Sequence, residues 1–107
     1  MRSEIKQFLD QVVRRYSSEN LPIESVILFG SQARGDAKIS SDVDLAIVTL
    51  PNLTHTERGK IICIPDEYNE CIKTNLYFTT ADNLASASLW NDTNYHIRNE
   101  GIVLWHK

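Results

Sequence analysis

Apolar positions recur at helical spacing through the first seventeen residues. Ile5, Phe8, Leu9, Val12, Val13 and Tyr16 fall on one stripe, which predicts an amphipathic helix over 3–17. "SSENLP" ends it, with Pro22 as the stop. The pattern then changes. "ESVILFG" is a short β-branched run closed by Gly30, and it predicts a strand buried on both faces. "SQARGDAKISS" has no periodicity and reads as a turn or short helical start followed by a loop. "DVDLAIVTL" is the second strand. Alternation sets Asp42, Asp44 and Ala46 on one face, and Val43, Leu45 and Ile47 on the other.

Beyond the "PNLT" turn, residues 55–71 carry a helical pattern. Gly59 and Pro65 interrupt it, so a break or kink is expected. Pro65 followed by Asp66 and Glu67 would alternatively open a second short helix. "CIKTNLYFT" is the third strand, and Thr80 is placed to cap a short helix through "ADNLASASL". "WNDTNYHIRNEG" makes a last helical turn or two, closed by Gly101. "IVLW" is a short terminal strand or a tail docked on the core. Strands separated by helices give an α/β (α+β) domain, a small mixed β-sheet flanked by helices. At 107 residues the chain is expected to be one domain over 1–107, with no linker.

Composition narrows the classes. With 42% hydrophobic residues, 23% charged and a net charge of −3, the chain is expected to fold as a soluble globule. The mild acidity argues against a broad nucleic-acid-binding face, although a local basic spot stays open. Cys63 and Cys71 are too few for a disulfide framework and match no zinc spacing, so two reduced thiols in the cytoplasm are expected. No run reaches the length of a membrane span, and the N-terminus has no apolar stretch of the signal-peptide kind. His55, His96 and His106 show no metal-ligand spacing and are read as surface or capping residues.

The chemistry concentrates around the second strand. Residues i and i+2 of a strand point the same way, about 6–7 Å apart. Two carboxylates at that distance repel, and burial raises the cost. A hard divalent cation, Mg²⁺ or Mn²⁺, between Asp42 and Asp44 removes both problems, with water and phosphate oxygens completing its shell. Taken alone, the pair is better read as solvent-facing aspartates capping a turn. Gly30 permits close backbone approach at the end of the preceding strand. Ser31 adds an N–H and a hydroxyl at the start of a helical turn, donors that suit phosphate. Arg34 brings a cation to the same loop. A phosphate cradle on one strand end and a ligand pair on the next are two halves of one NTP–metal site.

"GSQARG" followed by "SDVDL" resembles the nucleotidyltransferase superfamily of DNA polymerase beta type, and within it the minimal nucleotidyltransferases (MNT). Gly30, Ser31, Arg34, Gly35, Ser41, Asp42 and Asp44 match the family's two-part motif, and "NYHIRNEGIVLW" is similar to MNT C-termini. The resemblance implies a nucleotidyltransferase fold and transfer of AMP from ATP to an acceptor hydroxyl. It implies nucleotide binding at Gly30, Ser31, Arg34, Gly35 and Ser41, with Gly30 and Ser31 on the β- and γ-phosphates and Arg34 positioning the loop or neutralising phosphate. It also implies metal ligation by Asp42 and Asp44 and two-ion catalysis. MNT proteins often pair with a helical HEPN protein in toxin–antitoxin modules, so a HEPN partner and an antitoxin role are implied; a homo- or hetero-oligomer stays open.

One position departs from the family. A third carboxylate normally comes from a later strand, and the matching residue in "IKTNLYF" is Asn75. Asparagine offers one neutral oxygen and cannot serve as a carboxylate base. ATP binding is therefore expected, while transfer is in question. The alternative is a catalytically impaired nucleotide-binding protein that neutralises or regulates a partner by contact. Asp66, Glu67 or Glu70 would stand in for the missing acid if the preceding segment folded back. The short chain also predicts an acceptor pocket that is open or completed by a partner, with Trp90, Tyr95 and Trp105 forming either a contact patch or core.

Overall fold

The computed structural model describes residues 1–88 and 92–107. The order is α1 (Ser3–Ser18), β1 (Ile23–Phe29), α2 (Ser31–Arg34), β2 (Val43–Thr49), α3 (His55–Tyr68), β3 (Thr74–Thr80), α4 (Ala81–Ser86), α5 (Thr93–Glu100) and β4 (Ile102–His106). The sheet runs β3-β2-β1-β4. β1 is antiparallel to both β2 and β4, whereas β2 and β3 are parallel, with α3 between them in the chain as the crossover a parallel pair needs. The expected small mixed sheet with flanking helices is the fold.

The sheet carries a core on each face. On one, Val43, Leu45 and Ile47 of β2 meet Ile5, Phe8, Leu9, Val12 and Tyr16 of α1 and Ile61 and Ile64 of α3. On the other, Ile27, Ala46 and Val48 meet Ile97 of α5. β2 is thus buried along its whole length except at Asp44, which is half-buried. β1 is buried on both faces, as its sequence predicts: Val26 and Leu28 join the first core and Ile27 the second.

α3 runs unbroken through Pro65 instead of stopping or restarting there. The proline has no N–H to give the carbonyl of Ile61. The buried Tyr16 hydroxyl supplies the missing donor, at 2.8 Å from that carbonyl. Burial pushes the Tyr16 phenol up, well above its ordinary range, so it remains a neutral donor. β3 begins at Thr74 rather than at Cys71, because Asn69 ends α3 and its Oδ1 accepts the Cys71 N–H, holding a turn there. Thr80 caps α4 as expected, accepting from the Asn83 N–H. Gly101 follows α5 at φ −71°, not in a left-handed cap. A glycine is needed there because a Cβ would overlap the Ile97 carbonyl and the Ile27 side chain.

Trp105 packs against the first core, while Tyr95 lies on α5 against His96 and Arg98. These two do not share a patch, and Trp90 lies outside the described residues. Cys63 and Cys71 are free and exposed. Among the described residues, no helix is long and apolar enough to cross a membrane.

The Tyr16 hydroxyl is expected to matter more than an ordinary tyrosine hydroxyl. Tyr16→Phe leaves a buried carbonyl without a donor and should cost about 1–3 kcal/mol in urea unfolding. In a Pro65→Ala background the restored N–H can serve Ile61, and the same substitution should cost measurably less. Equal costs in the two backgrounds would show that the hydroxyl does not compensate the proline.

Candidate active site

The hairpin formed by β1 and β2 builds the first half of the site. The antiparallel register sets Phe29 opposite Asp44, which brings the next residue, Gly30, against the Asp44 carboxylate. Gly30 sits at φ 75°, ψ −155°, a region essentially restricted to glycine. An added Cβ would overlap Asp44 Oδ2. The Gly30 carbonyl accepts the N–H groups of Ala33 (3.1 Å) and Arg34 (3.0 Å), which winds the single turn of α2. The N–H groups of Ser31 and Gln32 precede those bonds at the open end of the turn. Gly35, left-handed at φ 84°, closes it.

Arg34 turns to Asp36, with Nε 3.3 Å from Oδ2, and to Glu100 at the end of α5, with a guanidinium nitrogen 3.4 Å from Oε1. Its ion-pair partners are these acids and not the paired aspartates, so it ties the loop to α5. Glu100 is also held by His96 Nδ1 at 2.6 Å. That hydrogen bond, with the Arg34 guanidinium behind it, keeps the Glu100 carboxyl below its ordinary value of 4.5. Ser41 closes a turn: its Oγ accepts the Lys38 N–H at 2.8 Å and its own N–H donates to the Lys38 carbonyl at 3.0 Å. The turn delivers Asp42 to the start of β2.

The second half comes from β3. The parallel register sets Asn75 opposite Asp44. The Asn75 amide gives one hydrogen to Asp42 Oδ2 and one to Asp44 Oδ1, both at 3.0 Å. One nitrogen therefore bridges the two carboxylates, in the manner of a cation. Lys73 Nζ lies 4.0 Å from the same Asp42 oxygen. Sequence reasoning missed Lys73, as it missed Glu100. A charged residue two positions before Asn75 was the available signal for the first. Nothing local marks the second.

The donor set fits Mg²⁺ or Mn²⁺. Two hard carboxylates converge on one point, and the glycine opposite Asp44 leaves room that any side chain would fill. Among the described residues, no cluster of three or more acidic, histidine or cysteine side chains forms. Of the acids considered as substitutes, Glu67 is engaged by Arg15. Asp66 instead lines a groove of about 410 Å³ that it shares with Asn75, Thr74, Arg58, Ile62 and Phe78. A second recess, about 520 Å³, opens beside Gly30 against Arg34, Thr93, His96 and Glu100.

Known proteins resemble this chain in sequence and in fold. The family model described as polymerase beta, nucleotidyltransferase matches residues 11–107. A protein of Methanocaldococcus jannaschii named "Putative protein adenylyltransferase" is 47% identical over 47 residues, covering 44% of this chain and 48% of the relative. That match spans about half the length of the curated relative. A crystal structure of a toxin–antitoxin with AMP-PNP aligns at a TM-score of 0.62 and 20% identity, covering 92% of this chain and 73% of the other. A "putative nucleotidyltransferase" from Sulfolobus solfataricus aligns at 0.53 and 18% identity, covering 100% and 90%. At such identities the two structures speak for the fold.

Two outcomes follow from the geometry. Gly30→Ala should cost about 1–3 kcal/mol in chemical denaturation, from the backbone conformation and the collision with Asp44; a neutral result would contradict the close approach. The Glu100 carboxylate, with its folded pKa depressed, contributes stability that is present above pH 4.5 and lost as pH falls through the lower folded value. Glu100→Gln should flatten that acid limb of a melting-temperature profile; an acid limb as steep as that of the wild type would contradict it.

Proposed function

This chain belongs to the polymerase beta nucleotidyltransferase family, and from that premise we propose that it binds ATP with Mg²⁺ or Mn²⁺ and transfers AMP to a hydroxyl on a partner protein. Residues 1–107 act as one nucleotidyltransferase domain in this reading. The observation that carries it is the convergence of Asp42 and Asp44 on a single amide nitrogen, directly across from Gly30. Asp42 and Asp44 hold the cation. Gly30 and Ser31 offer close backbone approach and N–H donors to the β- and γ-phosphates. Gly35 and Arg34 fix that loop, and Ser41 sets the angle at which Asp42 enters.

When bound, the cation neutralises the triphosphate and the leaving pyrophosphate. The protein's part is to align the reactants. An acceptor oxygen attacks the α-phosphorus, and the bond between that phosphorus and the pyrophosphate oxygen breaks in line with the attack. The hydroxyl proton passes to solvent, because Asn75 cannot take it as a carboxylate would. The groove beginning at Asn75 is the acceptor's approach.

A polypeptide acceptor is supported by the description of the Methanocaldococcus relative as a protein adenylyltransferase and by the toxin–antitoxin fold neighbour. We assign the partner to the HEPN class and the role to an antitoxin, on the resemblance of the motif and C-terminus to MNT proteins. The free, exposed thiols of Cys63 and Cys71 fit a reducing, cytoplasmic setting. Asn75 favours a second reading, in which nucleotide is bound but transfer is impaired and the partner is neutralised by contact.

Labelled ATP, the chain and its partner, incubated with Mg²⁺ or Mn²⁺, test both. Label should appear on the partner, and Asp44→Ala should reduce its rate by about 100-fold or more, as loss of several kcal/mol of charge stabilisation implies. Nucleotide binding without label transfer, together with neutralisation that survives Asp44→Ala, would establish the contact reading instead.

A further inference from the structure

We infer that Asn75 and Lys73 make this a one-ion site: a single divalent cation binds on the Gly30 side of the aspartate pair, and the β3 side is closed to a second. The inference rests on the nucleotide–cation reading above and deepens it.

The two oxygens of Asp44 have different surroundings. Oδ2 faces Gly30, on the side of the phosphate loop, and carries no hydrogen bond among the described residues. Oδ1 faces β3 and accepts an Asn75 hydrogen at 3.0 Å. Asp42 is divided in the same way. Its Oδ2 takes the other Asn75 hydrogen at 3.0 Å and has the Lys73 ammonium 4.0 Å away, whereas Oδ1 has no protein donor among the described residues. Asp44 Oδ2, turned toward Gly30, and Asp42 Oδ1 are thus left without a protein donor among the described residues, and the other oxygen of each carboxylate is already occupied toward β3.

A cation taken up by Asp44 Oδ2, on the Gly30 side, and Asp42 Oδ1 meets hard oxygens with lone pairs free, and triphosphate oxygens can complete its shell. A cation on the β3 side meets two amide hydrogens where it needs lone pairs. It also lies near an ammonium of its own sign. Asn75 could offer its single Oδ1 only by surrendering both hydrogen bonds at once. No other acid joins the cluster among the described residues. The acceptor entering along the groove beside Asn75 and Asp66 would therefore meet the Asn75 amide rather than a second ion.

Equilibrium dialysis of the full chain against saturating AMP-PNP and Mn²⁺ reads the number of ions directly, as manganese held in excess per chain. Wild type should retain one. Asn75→Asp, folded by circular dichroism, should retain two. Two ions on the wild-type chain would overturn the inference while leaving the nucleotide site intact. A folded Asn75→Asp chain that still holds one ion would also overturn it. No retained nucleotide or manganese would instead sink the reading beneath it, and this inference with it. If Asn75→Asp does not fold, the wild-type count still decides.

Discussion

The register of β2 is the constraint on which the rest depends. It is an inner strand of the sheet, with one core on each face, and every residue from Val43 to Thr49 is buried except Asp44. A one-residue slip would exchange the faces and drive Asp44 into the apolar layer beneath α1 and α3. An unpaired carboxylate there is far costlier than the methyl groups it would replace. The hydrophobic pattern therefore fixes the strand. Its partners are fixed with it, Phe29 and Asn75 each opposite Asp44 on either side. Gly30 and the Asn75 amide reach the same carboxylate from two directions as a consequence of core packing.

The elements around that strand pair hold the site by longer-range contacts. α3 must cross from one end of β2 to the start of β3 so that the two run parallel. It passes through Pro65 because α1 lends it a hydroxyl from 45 residues away, across the first core. On the other face, Ile97 seats α5 on Ile27, Ala46 and Val48, and Gly101 lets the chain turn closely over Ile27 into β4. Glu100, one residue before that turn, then reaches Arg34. The Gly-Ser loop is thus anchored at its base by β1 and at its tip by α5. Neither anchor is a contact to substrate, yet both determine where Ser31 lies.

What the sequence made legible was what repeats locally. The α1 stripe, the alternation of β2, the Gly-Ser turn and the Thr80 cap each depend on neighbours within one or two turns of chain. So does the Thr54–Glu57 capping box at the head of α3, a readable signal that was passed over. The rest depended on distant partners. Continuity through Pro65 needs Tyr16. The glycine at position 101 answers to Ile27 and Ile97 rather than to a left-handed cap. Asn75 could be matched to the aspartates only through the family pattern, because 31 residues separate it from Asp44. Periodicity does not report a parallel register across a crossover. Lys73 is marked only by its place two residues before Asn75, and Glu100 carries no local mark, since a charged residue at a helix end is ordinary until its partner is known.

The exchange of an acid for an amide at position 75 changes more than one ligand. Three carboxylates in contact would repel in the absence of metal, so such a cluster is gathered only as ions arrive. With asparagine the repulsion is gone before any ion binds. Each aspartate accepts one hydrogen from the same nitrogen, and Lys73 offsets part of the remaining charge. The aspartate pair is then held in place in advance, and a first cation, on the proposed reading, would not have to organise its own ligands. The same hydrogens that preorganise the pair occupy the oxygens a second cation would use. On the proposed reading, ready capture of one nucleotide-bound ion and weak provision for another would be two consequences of a single amide group.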